Sequence, residues 1–221
     1  MRSPSLDDRL ARAAALFPAC AYGADIGADH GRLSCYLLEK GVCQRMCVAD
    51  ISESSLKKAE NLLERHGLME RADIAVGDGL KALPRPAEAI AVLGMGGRTL
   101  SGILTDGRDR LRGARLILSA HTEIAMVRET VMRLDYRIEE EQIAFAAGRS
   151  YVVFRAAPGI EALTERQLLL GPRLTETYQE NYLHYLAKRI KHALPMQTEQ
   201  GKRELQWLKE EEERVRNSTD D

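Results

Sequence analysis

Four aspartates, Asp25, Asp29, Asp50 and Asp78, fall at or just beyond the ends of short apolar runs. The first two sit in "AYGADIGADHGRLSCYLLEKG" (21–41), which reads as a strand, a glycine-marked turn and a helix, the arrangement that holds nucleotide-type cofactors. A diphosphate in such a turn needs glycine at the close-approach positions and free amides at the helix start. Asp29 occupies the second of those positions, and a carboxylate beside a diphosphate is repulsive.

S-adenosylmethionine poses the opposite problem. It has no phosphate; a sulfonium, an α-ammonium and one carboxylate leave it net positive, so carboxylates around it attract. Asp25 is then expected at the amino-acid end, directly or through water. Asp50 would accept both ribose hydroxyls, and Asp78 of "GDGL" would lie near the adenine amino group. Gly27 and Gly31 keep the backbone close to the ligand. Plain alternatives stand beside these roles: an Asx turn into the helix starting at Ser52 for Asp50, and turn chemistry for Asp78 between its two glycines. "LGMGG" (93–97) offers open backbone and helix-start amides, and we read it as a wall where cofactor methyl and substrate meet. Its alternative is a tight β–α turn with Met95 as core filler. Ile51, Gly79, Gly94 and Met95 complete the candidate cofactor set.

The elements that position these residues alternate. Residues 5 to 17 form an amphipathic helix stopped by Pro18. Strands are expected at 21–26, 45–50, 72–76, 89–94 and 114–120. Between the second and third lies a helix capped by Ser52 and ended by Gly67, with Leu56, Ala59, Leu62 and Leu63 as its apolar stripe. A helix over roughly 123–134 precedes two closing strands, "YRIEEEQIAF" and "RSYVVFRA", joined by the turn "AAGR". This pattern predicts an α/β, Rossmann-like sheet, mostly parallel with an antiparallel terminal strand, that binds its ligand at the carboxyl ends of its strands. The S-adenosylmethionine-binding domain is placed at 1–157 and a C-terminal α-helical coiled-coil hairpin at 158–221. In the latter, "LTERQLLLGPRL" is read as linker. A first helix over 175–194 turns Tyr178, Tyr182, Tyr185, Leu186 and Ile190 inward, and Pro195 ends it. A second helix carries Leu205, Leu208 and Val215 as a seam, and "STDD" is read as a frayed tail.

Composition narrows the class. The 221 residues are 44% hydrophobic and 29% charged with a formal net charge of -1, so any nucleic-acid footprint must be local. No run approaches a membrane span and nothing resembles a signal peptide. The four cysteines have no C-x-x-C spacing, which points to free thiols, no metal and the cytoplasm. A monomer is expected.

"DIGADHGRL", "VADIS", "GDGL", "GMGG" and "LLLGPRL", in this order along nearly the whole chain, resemble the bacterial tRNA (adenine(22)-N1)-methyltransferase family. The resemblance implies a class I, S-adenosylmethionine-dependent enzyme methylating N1 of an adenine in the D-arm region of tRNA, with the helical extension helping to hold the RNA. It implies that Asp25, Gly27, His30, Asp50, Asp78 and Gly94 line the cofactor pocket and that Asp29 is an essential acid near the reacting centre. Two stretches depart from the family's pattern: "LSAHTE" after the fifth strand, and Ser34 where the pattern has proline.

Asp29 is the catalytic candidate, as a fixed carboxylate beside the cationic N1-methyladenine product; its alternative is a helix cap or cofactor-positioning group. His30 is read as a turn histidine, because methylating a neutral ring nitrogen requires no base, and His121 as a contact at the substrate mouth. For tRNA, Arg98, Arg108, Arg110, Arg112 and Arg115 form one basic patch and Lys188, Arg189 and Lys191 of "KRIKH" a second; solvated helix faces are the alternative. Three other functions compete. One is a methyltransferase for another RNA or a small molecule. The second is a nicotinamide oxidoreductase, disfavoured by Asp29 and by the missing G-x-G-x-x-G. The third is a non-catalytic cofactor- or RNA-binding module.

Overall fold

A computed structural model of the chain describes residues 4–175 and 181–218. Tyr178 and all but the first residue of the "STDD" tail lie outside them. The chain divides into two units, residues 1–162 and 163–221.

The first unit opens with α1 (Asp8–Leu16), capped by Asp7, whose carboxylate accepts from Leu10 N at 2.8 Å. Then follow β1 (Cys20–Ile26), α2 (Arg32–Glu39), β2 (Cys43–Asp50), α3 (Glu53–Arg65), β3 (Ala72–Val76) and β4 (Ala89–Met95). Next come α4 (Gly97–Asp106), α5 (Arg108–Leu111), β5 (Arg115–Ala120), α6 (Ile124–Arg133), β6 (Tyr136–Ala146) and β7 (Arg149–Pro158). Short 3-10 turns lie at Met69–Arg71 and Gly79–Ala82. The strands make one seven-stranded sheet ordered β3-β2-β1-β4-β5-β7-β6. β1 to β5 pair in parallel; β7 lies antiparallel between β5 and β6.

Burial explains the sequence pattern. Ala24, Ile26, Val48, Ala91, Val92, Ile117 and Leu118 are buried because helices cover both faces of the central strands. In α3 the expected stripe turns Leu56, Ala59 and Leu63 inward, while Leu62 is half-buried. The order reverses between β1 and β4, which opens a crevice at their carboxyl ends.

α1 is tied to the far side of the sheet. Asp8 Oδ2 accepts Phe145 N of β6 at 2.7 Å, and Ala13, Leu16 and Phe17 enter the core.

The division falls after Ala162, five residues beyond the expected boundary at 157. β7 runs to Pro158, and Glu161 accepts Ile138 N at 2.8 Å, which fastens the segment after the strand to β6.

The second unit holds α7 (Glu165–Leu170), α8 (Tyr182–Ala193) and α9 (Glu199–Ser218). The stretch read as linker is therefore partly helical. Thr164 and Gln167 form a capping box that starts α7, and Gly171 ends it. Tyr182 contacts Glu211 and Arg189 contacts Glu204, so α8 and α9 run antiparallel as a hairpin. Tyr182, Tyr185 and Leu186 meet a heptad-spaced seam of Gly201, Leu208 and Val215. Ile190 and Leu205 are half-buried at its margin.

Candidate active site

The β1–α2 turn needs a backbone few residues adopt. Gly27, Asp29 and Gly31 all have positive φ, at 73°, 49° and 65°. At Gly31 a Cβ would come within 2.7 Å of the Ala59 Cβ, so the bare backbone lets α2 start against α3. At Gly27 it would meet Met95 Cε at 2.8 Å; Met95 lies over the turn and joins the β1 and β4 ends.

Asp25 is buried at the base of this turn, 4% exposed, and accepts a hydrogen bond from the Ser34 hydroxyl at 2.8 Å. Burial raises its carboxyl to about 6; the Ser34 bonds and the charge of Arg9 oppose the rise, and Asp50 adds to it. Asp50 ends β2 with both oxygens in use. Oδ1 accepts Ser52 N at 2.8 Å, the Asx turn into α3, and Oδ2 accepts Asp29 N at 3.0 Å. Each oxygen keeps a second lone pair for a ligand hydroxyl. Asp29 is exposed, and its Oδ2 lies 2.6 Å from His30 Nδ1.

Asp25, Gly27, Asp29, His30 and Gly94 line one cleft of about 470 Å³. That is large enough for a nucleoside-sized ligand. Asp50 adjoins it through Asp29. The structure does not bring Asp78 and Gly79 into this cavity. They border a smaller hollow of about 160 Å³ with Ile103 and Asp106. Ile51, 73% exposed, and Val76, 56% exposed, stand at the ends of β2 and β3 as bare apolar surface.

His121 also lines the cleft. Its ring meets Tyr151 edge-on at 5.4 Å, and burial, then Arg9 and Arg149, lower its pKa, so it is neutral near pH 7. Arg9 of α1 was missed by the sequence reading. It lines the same cleft, its guanidinium sits 5.7 Å from the Tyr151 ring centre, and its buried Nη1 has no hydrogen-bond partner among the described residues. A signal existed: Arg9, Ala13 and Leu16 share one helical face, so a cation stands in a buried stripe.

The basic patch after "GMGG" is split by α4. Arg98 begins that helix at the carboxyl edge of the sheet and pairs with Glu123 at 3.1 Å. Arg108, Arg110 and Arg112 follow it at the opposite edge, where β5 starts. Arg108 lies 3.5 Å from Asp135, and Arg110 and Arg112 line a shallow groove with Pro84, Arg85 and Pro86. Arg115 stands there too, 3.7 Å from Glu139. In the hairpin, Lys188 and Lys191 are exposed. Arg189 is a correction: its guanidinium bonds the Leu169 carbonyl at 2.6 Å and Glu204 at 2.8 Å, so it binds unit 2 together rather than facing solvent.

Among the described residues no cluster of histidine, cysteine and acids could hold a metal, and no helix is long and apolar enough to cross a membrane. The four cysteines are free.

With phosphate-repelling acids around the β1/β4 crevice and a reversed β7 inside the sheet, the chain falls among the class I S-adenosylmethionine-dependent methyltransferases. A family model described as tRNA (adenine(22)-N(1))-methyltransferase matches residues 23–217, and the chain belongs to that family. The Bacillus subtilis (strain 168) enzyme of that description is 29% identical over 224 residues, 94% of each chain. The crystal structure of the B. subtilis m1A22 tRNA methyltransferase matches with a TM-score of 0.80 at 28% identity, covering 97% of this chain and 98% of that one. A Streptococcus pneumoniae candidate tRNA (m1A22) methyltransferase, solved with S-adenosyl-L-methionine, matches with a TM-score of 0.88 at 25% identity, covering 94% and 100%.

Proposed function

We propose that this chain methylates N1 of adenine 22 of tRNA, using S-adenosylmethionine held in the Asp25–Gly94 cleft. The observation that carries the reading is that cleft: acids and an open glycine turn at the strand switch point, in a chain of this family.

When bound, the cofactor supplies an electrophilic methyl on a sulfonium. The chain's own residues have modest tasks, because adenine N1 presents an in-plane lone pair once the base is unstacked. Asp25 and the turn amides hold the amino-acid end. Asp50, with a lone pair free on each oxygen, receives the ribose hydroxyls. Ile51 and Val76 offer the adenine ring of the cofactor an apolar face, with Asp78 beyond. Gly94 and Met95 wall the reaction centre, so that alignment supplies most of the rate. Asp29, exposed and fixed by its left-handed backbone and by His30, is the carboxylate we assign to the charge growing on the methylated ring. His121, neutral, offers that ring an acceptor rather than a competing cation.

For tRNA, Arg98 beside the cleft and Lys188 and Lys191 on the hairpin are the phosphate contacts we assign. Arg108, Arg110 and Arg112, at the far edge of the sheet, contribute long-range attraction. Four free thiols and a tRNA substrate fit a reducing cytoplasm.

The test is direct. Unmodified tRNA transcripts are incubated with the chain and methyl-labelled cofactor, and the methylated nucleoside is mapped by mass spectrometry. N1-methyladenine at position 22 supports the reading. Methyl transfer elsewhere, or only to small molecules, overturns it.

A further inference from the structure

The cleft contains a cation that an acid-lined pocket for a cationic ligand does not explain. Arg9 Nη1 is buried and has no hydrogen-bond partner among the described residues. A buried guanidinium donor without an acceptor is costly, and each such group needs an account. The acids next to Arg9 in sequence do not supply one. Asp7 caps α1 through Leu10 N, and Asp8 accepts Phe145 N and Arg12 Nε.

Arg9 is aimed at the end of β4. A Cβ built on Gly94 would lie 2.7 Å from its Nη1. Gly94, with φ of 79°, therefore leaves space for a guanidinium as well as adopting a backbone that side chains resist. The aromatic face of Tyr151 supports the guanidinium from one side. The group thus stands at the β1/β4 end of the cleft, beside Asp25, and away from Asp50 at the end of β2.

We propose that Arg9 is the receptor for the α-carboxylate of the cofactor's amino-acid half. That half is a zwitterion beside a sulfonium. Asp25 and Asp29 match its two positive groups, and the carboxylate needs a cation of its own, which a guanidinium meets with directed, charge-assisted hydrogen bonds. Among the described residues the cleft has one other arginine, Arg32, which is exposed at the start of α2 and so gives a weaker, solvent-screened field. The inference rests on S-adenosylmethionine being the cofactor and assigns which residue reads its carboxylate.

The test compares two ligands differing only in that group: S-adenosylhomocysteine and its decarboxylated homologue, titrated calorimetrically. Losing a charge-assisted bond is expected to weaken wild-type binding of the decarboxylated ligand by ~10- to 100-fold. Arg9→Met should weaken S-adenosylhomocysteine by a similar factor while changing the homologue less than about threefold, so the preference disappears. Arg9→Lys should keep part of the preference, and Arg32→Met should keep nearly all. Equal losses for both ligands in Arg9→Met, or a preference that survives it, overturn the proposal. So does a wild-type chain that binds both ligands alike, whatever the variants do. A wild-type chain that binds neither defeats the cofactor reading itself.

Discussion

The hydroxyl of Ser34 donates to the Asp25 carboxylate at 2.8 Å, with Ser34 fully buried and Asp25 reaching the floor of the cleft. One buried acid at the base of the cleft is thus held in a fixed direction by a residue from the next helix. Burial raises its carboxyl to about 6, and the Ser34 hydrogen bonds oppose that rise.

That balance gives a pH profile. In the ligand-free chain the Asp25 carboxyl keeps its proton to about 6, whereas the unfolded chain releases it near 3.8. Stability from this group is fully present below the lower value and is lost as pH rises through the upper one. Ligand binding runs the opposite way, because only the ionised form attracts an ammonium. Affinity for S-adenosylhomocysteine is expected to fall by ~10-fold from about pH 7 to about pH 5, in calorimetric titrations, with an inflection near 6. Ser34→Ala should move the inflection upward, and Asp25→Asn should abolish it. A flat profile for the wild type would exclude Asp25 as the ammonium's partner.

Asp25→Asn should also expose a conflict between binding and stability. With no charge to bury, the ligand-free variant is expected to gain on the order of 1–3 kcal/mol at neutral pH in urea unfolding, while losing ligand affinity. A variant weaker in both respects would mean that Asp25 serves structure alone.

Asp29→Asn addresses the chemistry. With cofactor saturating, single-turnover methylation of tRNA is expected to slow by ~100-fold while S-adenosylhomocysteine affinity changes less than about threefold. An unchanged rate would reduce Asp29 to a turn residue.

Gly31→Ala should damage the scaffold rather than the chemistry. Its Cβ would press on Ala59 at 2.7 Å from a left-handed backbone, so a loss of ~2–4 kcal/mol is expected by urea unfolding. A neutral effect would show that α2 and α3 separate easily.

The two readings of "KRIKH" separate cleanly. Arg189→Ala should cost about 2–3 kcal/mol in hairpin stability, because Glu204 and the Leu169 carbonyl lose a shared donor. Lys191→Ala should leave the melting curve unchanged and lower the salt slope of tRNA binding by about one. The reverse outcome would make Arg189 the RNA contact.

Much of the sheet was legible because strand and helix periods alternate cleanly. Asp25, Asp29 and Asp50 could be placed together because strand ends in such a sheet converge on one edge. Asp78 could not be separated from them, since the separation depends on how the segment after β3 folds against Ile103. The short α7 was hidden in a Gly-Pro-ended stretch, although Thr164 and Gln167 at capping-box spacing announced it. Arg189 looked like surface charge because three other basic residues flank it. Only its i+4 relation to Tyr185 placed it on the seam. Arg9 was passed over for a related reason: periodicity placed it on the face of Ala13 and Leu16, but could not say that it meets a distant strand at the cleft.

The docking of α1 on β6 sets an order on synthesis. The segment carrying Asp7 and Arg9 is made well before Phe145, whose backbone N–H anchors it through Asp8. The opening helix gains its anchor on β6 only then, so the pocket that Arg9 lines is completed with the last strand pair.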